Sequence, residues 1–190
     1  MKLQSIPRPS GSFVASFALL LLFASPVVKA QSADSEEISR LLTEAQHYAA
    51  LATDDAATLE SYTRGTSTWV SHSARLAEMA DHVNALGKVN KQLNDLSSQG
   101  SPWQQKAISQ IDSLLRDTAA QLTATINHLK NNQSKIHLQP YRDYVASTYE
   151  RAEKTAQMIR DFVEYDKATS KAEALEQKLE LSDEEKVTKS

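Results

Sequence analysis

Apolar side chains recur at intervals of three and four residues through four long segments of the chain. This spacing places them on one face of an α-helix, whereas a strand would need a strict alternation that the chain lacks. Glycine, proline, asparagine and serine cluster between the segments, where one helix must end and the next begin. The apolar stripes occupy residues 38–62, 69–93, 108–129 and 141–163, and the last continues through Ala168, Ala172, Leu175 and Leu179.

The third segment has the clearest start of the four. Residues 101–104 (SPWQ) combine a capping serine, a proline at the first helical position and a glutamine at the third. The first segment opens at Ser35, the second near Thr66 or Ser67, and the fourth at Pro140. Four amphipathic helices with short connections predict an all-α protein, an up-down-up-down four-helix bundle with long helices and an extended fourth helix.

Residues 1–30 have the three parts of a cleavable signal peptide in the expected order. Lys2 and Arg8 make the start basic, an apolar run covers residues 13–23, and Val28 and Ala30 form a small-residue cleavage site. A membrane anchor is the alternative, but the apolar run is shorter than the roughly 20 residues of a spanning helix. We therefore expect a signal peptide at residues 1–30, a helical bundle domain at 31–181 and a charged disordered tail at 182–190.

The amino-acid composition limits which classes of partner the protein is expected to bind and in which compartment it is expected to be found. The signal peptide holds three of the 21 basic residues and none of the 24 acidic ones, so the mature chain carries a net charge of −6. An acidic chain argues against nucleic acid and against anionic lipid as main partners. The chain has no cysteine, which excludes a lipoprotein anchor, thiolate metal sites and disulfides. We expect a released protein of a bacterial envelope, in the periplasm or, as the alternative, outside the cell.

Pairs of acidic residues and histidines at helical spacing are the candidate metal sites. Glu44 and His47 match the Glu-x-x-His spacing of di-iron bundles, but those proteins need two such motifs, and His47 lies far from the apolar stripe. Glu78 and His82 are four residues apart, which favours a helical surface pair. The sequence contains no catalytic or phosphate-binding motif, so we predict no enzyme activity, no cofactor and no metal.

For three other acidic residues, the helical spacing predicts whether the side chain lies on the solvated surface or near an apolar stripe. Asp54 and Asp55 are interpreted as part of a solvated face. Asp166 falls near the apolar stripe of the fourth segment, so it needs a hydrogen-bond partner if it is buried.

Aromatic and histidine side chains concentrate where the first and third segments end and the second and fourth begin. In an up-down bundle these four segment ends meet. The resulting group is either a ligand or partner patch or a set of large side chains that closes the end of the bundle. It comprises Tyr62, Trp69, His72, His128, His137, Tyr141 and Tyr144. His72 lies about one turn after Trp69, and the helical spacing places it on the core face of the second segment.

Five polar residues interrupt the apolar stripes. They either set the register of the helices, as a buried asparagine does in a coiled coil, or line a cavity. The register interpretation is favoured because a threonine hydroxyl can bond to its own helix. These residues are Asn90, Thr118, Thr125, Thr148 and Thr155.

Several short segments resemble a group of exported bacterial helical proteins with no known activity. They are residues 55–64 (DAATLESYTR), 82–87 (HVNALG), 101–104 (SPWQ) and 175–179 (LEQKL). The resemblance implies an exported helical protein and carries no functional residue with it.

The leading functional hypothesis is a non-enzymatic protein-interaction or structural module of the bacterial envelope, which binds another protein or itself. It depends on the long fourth segment, where Leu175 and Leu179 extend beyond the bundle. The alternative is a small-ligand or metal-binding bundle that uses the end with Trp69, His72 and Tyr141. Neither hypothesis includes nucleic acid or a stable membrane anchor after signal cleavage.

Overall fold

The computed structural model describes residues 34–188, with side chains described to residue 179. The predicted signal peptide therefore lies outside the described residues. The described chain is all-α and forms a four-helix bundle, as predicted from the apolar spacing. Its helices are α1 (Glu36–Tyr62), α2 (Trp69–Leu96), α3 (Pro102–Asn131) and α4 (Gln139–Thr188), with short 3₁₀ turns at Ser97–Gln99 and Gln133–Lys135.

Side-chain caps set three of the helix starts. The hydroxyls of Ser35 and Thr68 accept the backbone N–H groups of Ile38 (3.5 Å) and Ser71 (3.4 Å) before α1 and α2. Thr68 caps α2, so this helix begins slightly later than the Thr66 or Ser67 start that the sequence suggests. At α3 the Gln104 side chain accepts the N–H of Ser101 at 3.1 Å, which satisfies one of the free donors of a helix start.

The four helices pack around one core in the order α1, α2, α3, α4, with α4 returning against α1. Chain neighbours are antiparallel because their connections are short. The stripe of α1 is largely alanine at its centre, with Ala45, Ala49, Ala52 and Ala56 all buried. Small side chains let α2 and α4 approach α1 closely, while leucine, isoleucine, valine and methionine from the other helices fill the space.

Gln104 connects the starts of α1 and α3. Its side chain is fully buried, and its Oε1 accepts the N–H of Ser35 at 2.9 Å while its Nε2 donates to the Ser35 carbonyl at 3.0 Å. Gly100 lies beside this contact, where a Cβ atom would come within 2.8 Å of Ile38 Cδ1. The close approach favours glycine at this position.

α4 is the longest helix, with 50 residues, and it continues past the start of α1. Asp166 bonds to the first turn of that helix: its Oδ1 accepts the Ser39 hydroxyl at 2.8 Å. Side chains 171–179 are all exposed. The backbone remains helical to Thr188, so α4 includes residues 182–188 of the segment for which the charge pattern predicts a disordered tail. We call residues 167–188 the α4 extension.

Candidate functional site

Rings from all four helices meet at one end of the bundle, which we call the aromatic end. The His72 Nδ1 lies 2.9 Å from the Tyr141 hydroxyl, and the two rings meet edge to face at 5.3 Å. Tyr62 packs edge-on against His72 at 5.6 Å. His128 stacks on Tyr141 at 6.1 Å and lies 4.5 Å from Tyr144. Five of the seven predicted patch residues are therefore brought together.

The other two members of the predicted patch lie apart from this ring cluster. Trp69 is 41% exposed and forms one wall of a groove of about 210 Å³ between α2 and α3. His137 is exposed in the connection before α4. The three histidines therefore do not converge on one cleft: His72 is buried, His128 stacks on tyrosines, and His137 faces solvent.

Burial sets the protonation of the ring cluster. His72 and Tyr141 are each 1% exposed. Burial lowers the pKa of His72 and raises the pKa of Tyr141, because it disfavours the charged form of each group. Two neutral rings share one hydrogen bond, and no substrate atom has access to them. This pair supports a structural role that closes the bundle.

A second polar cluster connects α1 to α2, and the sequence interpretation of its members was wrong. Asp55 is 4% exposed, not part of a solvated face. Its Oδ1 accepts from Arg75 at 2.8 Å and its Oδ2 contacts His82 Nδ1 at 2.6 Å. Glu78 pairs with Arg75 at 2.6 Å, so the predicted surface pair of Glu78 and His82 does not form.

The helical spacing could have located Asp55. It follows Ala52 by three residues and precedes Leu59 by four, so it lies on the buried stripe of α1. Its carboxylate oxygens are both taken by α2 side chains. The pKa of Arg75 is raised above its usual value, first by the hydrogen bond that Arg75 donates to Asp55 and next by its interaction with the Tyr62 hydroxyl oxygen. The cluster therefore ties two helices together, and it leaves Asp55 no oxygen free for a ligand.

The buried threonines pair across α3 and α4. Thr118 and Thr155 hydroxyls are 2.9 Å apart, and those of Thr125 and Thr148 are 2.7 Å apart. These distances leave no room for a ligand between them. Asn90 donates from α2 to Asp112 of α3 at 2.8 Å. The contacts match the register interpretation of these polar positions.

Two acidic positions singled out in the sequence have the partners that their placement requires. Asp166 accepts from Ser39, as a carboxylate near the stripe must. Glu44 pairs with Arg40 at 3.1 Å, and His47 is exposed. Across the described residues, no group of three or more histidine, cysteine, aspartate or glutamate side chains is placed to hold a metal ion.

Exposed large apolar side chains form two sets at opposite ends of the bundle. Trp69, Val70, Leu138 and Tyr144 lie at the aromatic end, and Tyr165, Leu175 and Leu179 lie at the other end or in the α4 extension. Tyr165 packs edge-on against Trp103 at 5.1 Å. Exposed apolar groups of this kind are typical of interaction surfaces, so these sets are the candidate functional surfaces.

Within residues 34–188, no helix is both long enough and apolar enough to cross a bilayer. Comparison of the chain with protein-family models, with curated proteins and with solved structures finds no match.

Proposed function

We propose that this protein is an exported, non-enzymatic interaction module that binds a helix of another polypeptide chain, a different protein or a second copy, through its α4 extension. The observation that carries the proposal is Leu175, which is 51% exposed on a helix that has passed the end of the bundle. An exposed leucine alone is ordinary. A regular apolar seam on an overhanging helix is a feature that a partner helix can cover.

The seam has the spacing of a coiled coil. Ala168, Ala172, Leu175 and Leu179 follow one another at intervals of four, three and four residues, which aligns them along one side of the helix. A helix without tertiary packing is marginally stable in water at this length. A partner helix on the seam stabilises the extension by burying these side chains, at about 25 cal/mol per Å² of apolar surface.

Charged residues flank the seam on both sides. Lys171 and Lys178 lie along one flank and Glu176 along the other. None of the three belongs to an ion pair within residues 34–179, so each is available to a partner. Charges at these flanking positions select partner and orientation in paired helices.

The test compares Leu175→Asp with Gln177→Asp, because Gln177 is exposed on the opposite side of the same helix. Light scattering on the purified protein measures self-association, and affinity capture from the native envelope measures binding to other proteins. We expect Leu175→Asp to abolish the association that either method detects, and Gln177→Asp to retain it. A monomer whose captured proteins are the same for both variants contradicts the proposal.

Export is tested by the intact mass of the protein recovered from its native host. Cleavage after Ala30 predicts a chain that begins at Gln31 and is found in the envelope or outside the cell. A mass that includes residues 1–30 contradicts this part of the proposal.

The alternative function, a small-ligand or metal-binding bundle that uses Trp69, His72 and Tyr141, has less support. His72 and Tyr141 are buried against each other, and Trp69 lies on a separate groove. No geometry joins the three around one ligand.

A further inference from the structure

The aromatic end has a surface that the ring cluster does not use. Trp69 and Val70 lie in the first turn of α2 and Leu138 directly precedes α4, with exposures of 41%, 56% and 43%. The groove beside Trp69 is lined by the buried Leu76 and Leu129. The apolar surface therefore continues from Trp69 into the space between α2 and α3.

Basic side chains surround these apolar groups. Lys130, Lys135 and Arg142 are exposed, and none of them enters an ion pair within residues 34–179. Lys130 lies on the same groove as Trp69. The aromatic end therefore presents cations beside exposed apolar groups, although the mature chain as a whole is acidic.

The cations of this end outnumber its acidic residues. Glu60 pairs with Arg64 at 3.0 Å. Asp143 accepts from the neutral Gln139 side chain at 2.7 Å and keeps its charge. Lys130, Lys135 and Arg142 therefore face one uncompensated carboxylate, which leaves this end with an excess of positive charge.

We propose that the aromatic end docks on the surface of a membrane that contains anionic lipids. Trp69, Val70 and Leu138 enter the interfacial layer, where indole rings are favoured. Lys130, Lys135 and Arg142 meet the lipid phosphates, and each cation adds to the electrostatic attraction. This inference is independent of the α4 extension, which lies at the other end of the bundle.

The composition of the patch favours a bilayer over a protein partner. A stable protein interface buries about 800 Å² on each partner, and three apolar side chains at helix ends provide much less. Reversible attachment to a membrane needs only a few inserted apolar groups together with a basic patch. The net charge of −6 argued against anionic lipid in the sequence. That value is a sum over the whole mature chain, and it does not show that the three cations at this end have no acidic ion-pair partner within residues 34–179.

The test is sedimentation of the purified protein with vesicles of phosphatidylcholine, with and without phosphatidylglycerol. We expect binding only when phosphatidylglycerol is present, and weaker binding as salt is added. The double variants Lys130→Glu/Lys135→Glu and Trp69→Ser/Leu138→Ser each lower the affinity by about tenfold or more. The matched control Lys88→Glu/Lys106→Glu, with the same charge change at exposed sites away from the aromatic end, binds as the unaltered protein does.

Circular dichroism confirms that each variant is folded, and brominated lipid provides a second readout. Quenching of tryptophan fluorescence by brominated phosphatidylglycerol vesicles is expected in the unaltered protein and is lost in Trp69→Phe. Three results overturn the proposal: equal binding to both vesicle types, equal loss in the control variant, or a captured protein whose binding requires Trp69 while vesicles do not bind.

Discussion

At the scale of single residues, Asp55 is the most informative side chain of the bundle. It is a buried carboxylate on α1, and its two oxygens face Arg75 and His82 of α2. Removing a carboxylate from water has a desolvation cost, which two partners at hydrogen-bond distance offset. Arg75 and His82 remain partly exposed. The loss of Asp55 therefore lowers the free energy of unfolding by less than the loss of one member of a fully buried pair.

The first prediction concerns this carboxylate. Asp55→Asn lowers the free energy of unfolding by about 2 kcal/mol, because it removes the buried carboxylate that joins Arg75 and His82 to α1 and leaves Arg75 with only the exposed Glu78 as an acidic partner. Urea unfolding measures the change. Asp54→Asn is the control, since Asp54 is exposed on the same turn, and it shifts stability by less than about 0.5 kcal/mol. Equal effects of the two substitutions would show that the buried cluster adds no stability.

The second prediction concerns the titration of His72. Burial lowers its pKa below the usual value of 6.5 in the folded protein, so the unfolded chain takes up this proton first as the pH falls. Stability is therefore lost as the pH drops below about 6.5, by at most about 1.4 kcal/mol per pH unit for one proton. Urea unfolding of His72→Gln, measured across this range, has a smaller pH dependence than the unaltered protein.

His47→Gln serves as the control for this substitution, because it makes the same exchange at an exposed histidine of the bundle. A His72→Gln protein with the full original pH dependence would contradict a neutral, buried His72.

Sequence reasoning predicted some of these residues and missed others for a physical reason. It placed His72 on the core face and required a partner for Asp166, because both positions follow from helical spacing. It missed Asp55 because charge was given more weight than spacing, and the Arg75 and His82 side chains that make its burial possible belong to another helix. The spacing of residues within one helix shows which face a side chain lies on, but not which side chains of another helix it contacts.

At the scale of elements, α3 and α4 are aligned by two threonine pairs. Each hydroxyl lies near a carbonyl of its own helix and near the hydroxyl across the interface, as Thr125 and Thr148 illustrate. A shift of one helix relative to the other separates both pairs at once. These contacts therefore favour one register over its neighbours along an otherwise repetitive stripe.

The third prediction is a double-mutant cycle on one pair. Thr125→Val lowers the free energy of unfolding by about 1 kcal/mol, and Thr125→Val combined with Thr148→Val costs no more than the single change. The single change leaves the Thr148 hydroxyl bonded to the Tyr144 carbonyl but without its partner across the interface, and the double change removes both hydroxyls together. Thr123→Val, on the exposed side of α3, is the control. Fully additive costs in urea unfolding would show that the two hydroxyls are uncoupled.

The helices themselves were predictable because their signals are local. Apolar spacing and the capping residues predicted the four helices and the start of α3 at Pro102. The groove beside Trp69 was not predictable, because it depends on how far α2 and α3 separate. That distance is set by packing between helices and not by either sequence alone.

At the scale of the whole bundle, the described residues offer two surfaces at opposite ends. The aromatic end combines exposed apolar groups with free cations, and the α4 extension carries an apolar seam between charged flanks. Between them, buried polar side chains bond to one another across the helices. We therefore propose binding functions for the ends of the bundle and a stabilising role for its centre.

The most direct measurement of this account places a photo-crosslinker on the α4 extension. The chain has no cysteine, so Leu175→Cys and Gln177→Cys each provide one attachment site for a benzophenone probe. We predict that the probe at position 175 crosslinks to one defined partner, a second copy or another protein, in the native envelope, and that the probe at position 177 does not. No crosslink at 175, or the same products from both positions, would contradict a partner helix on the seam.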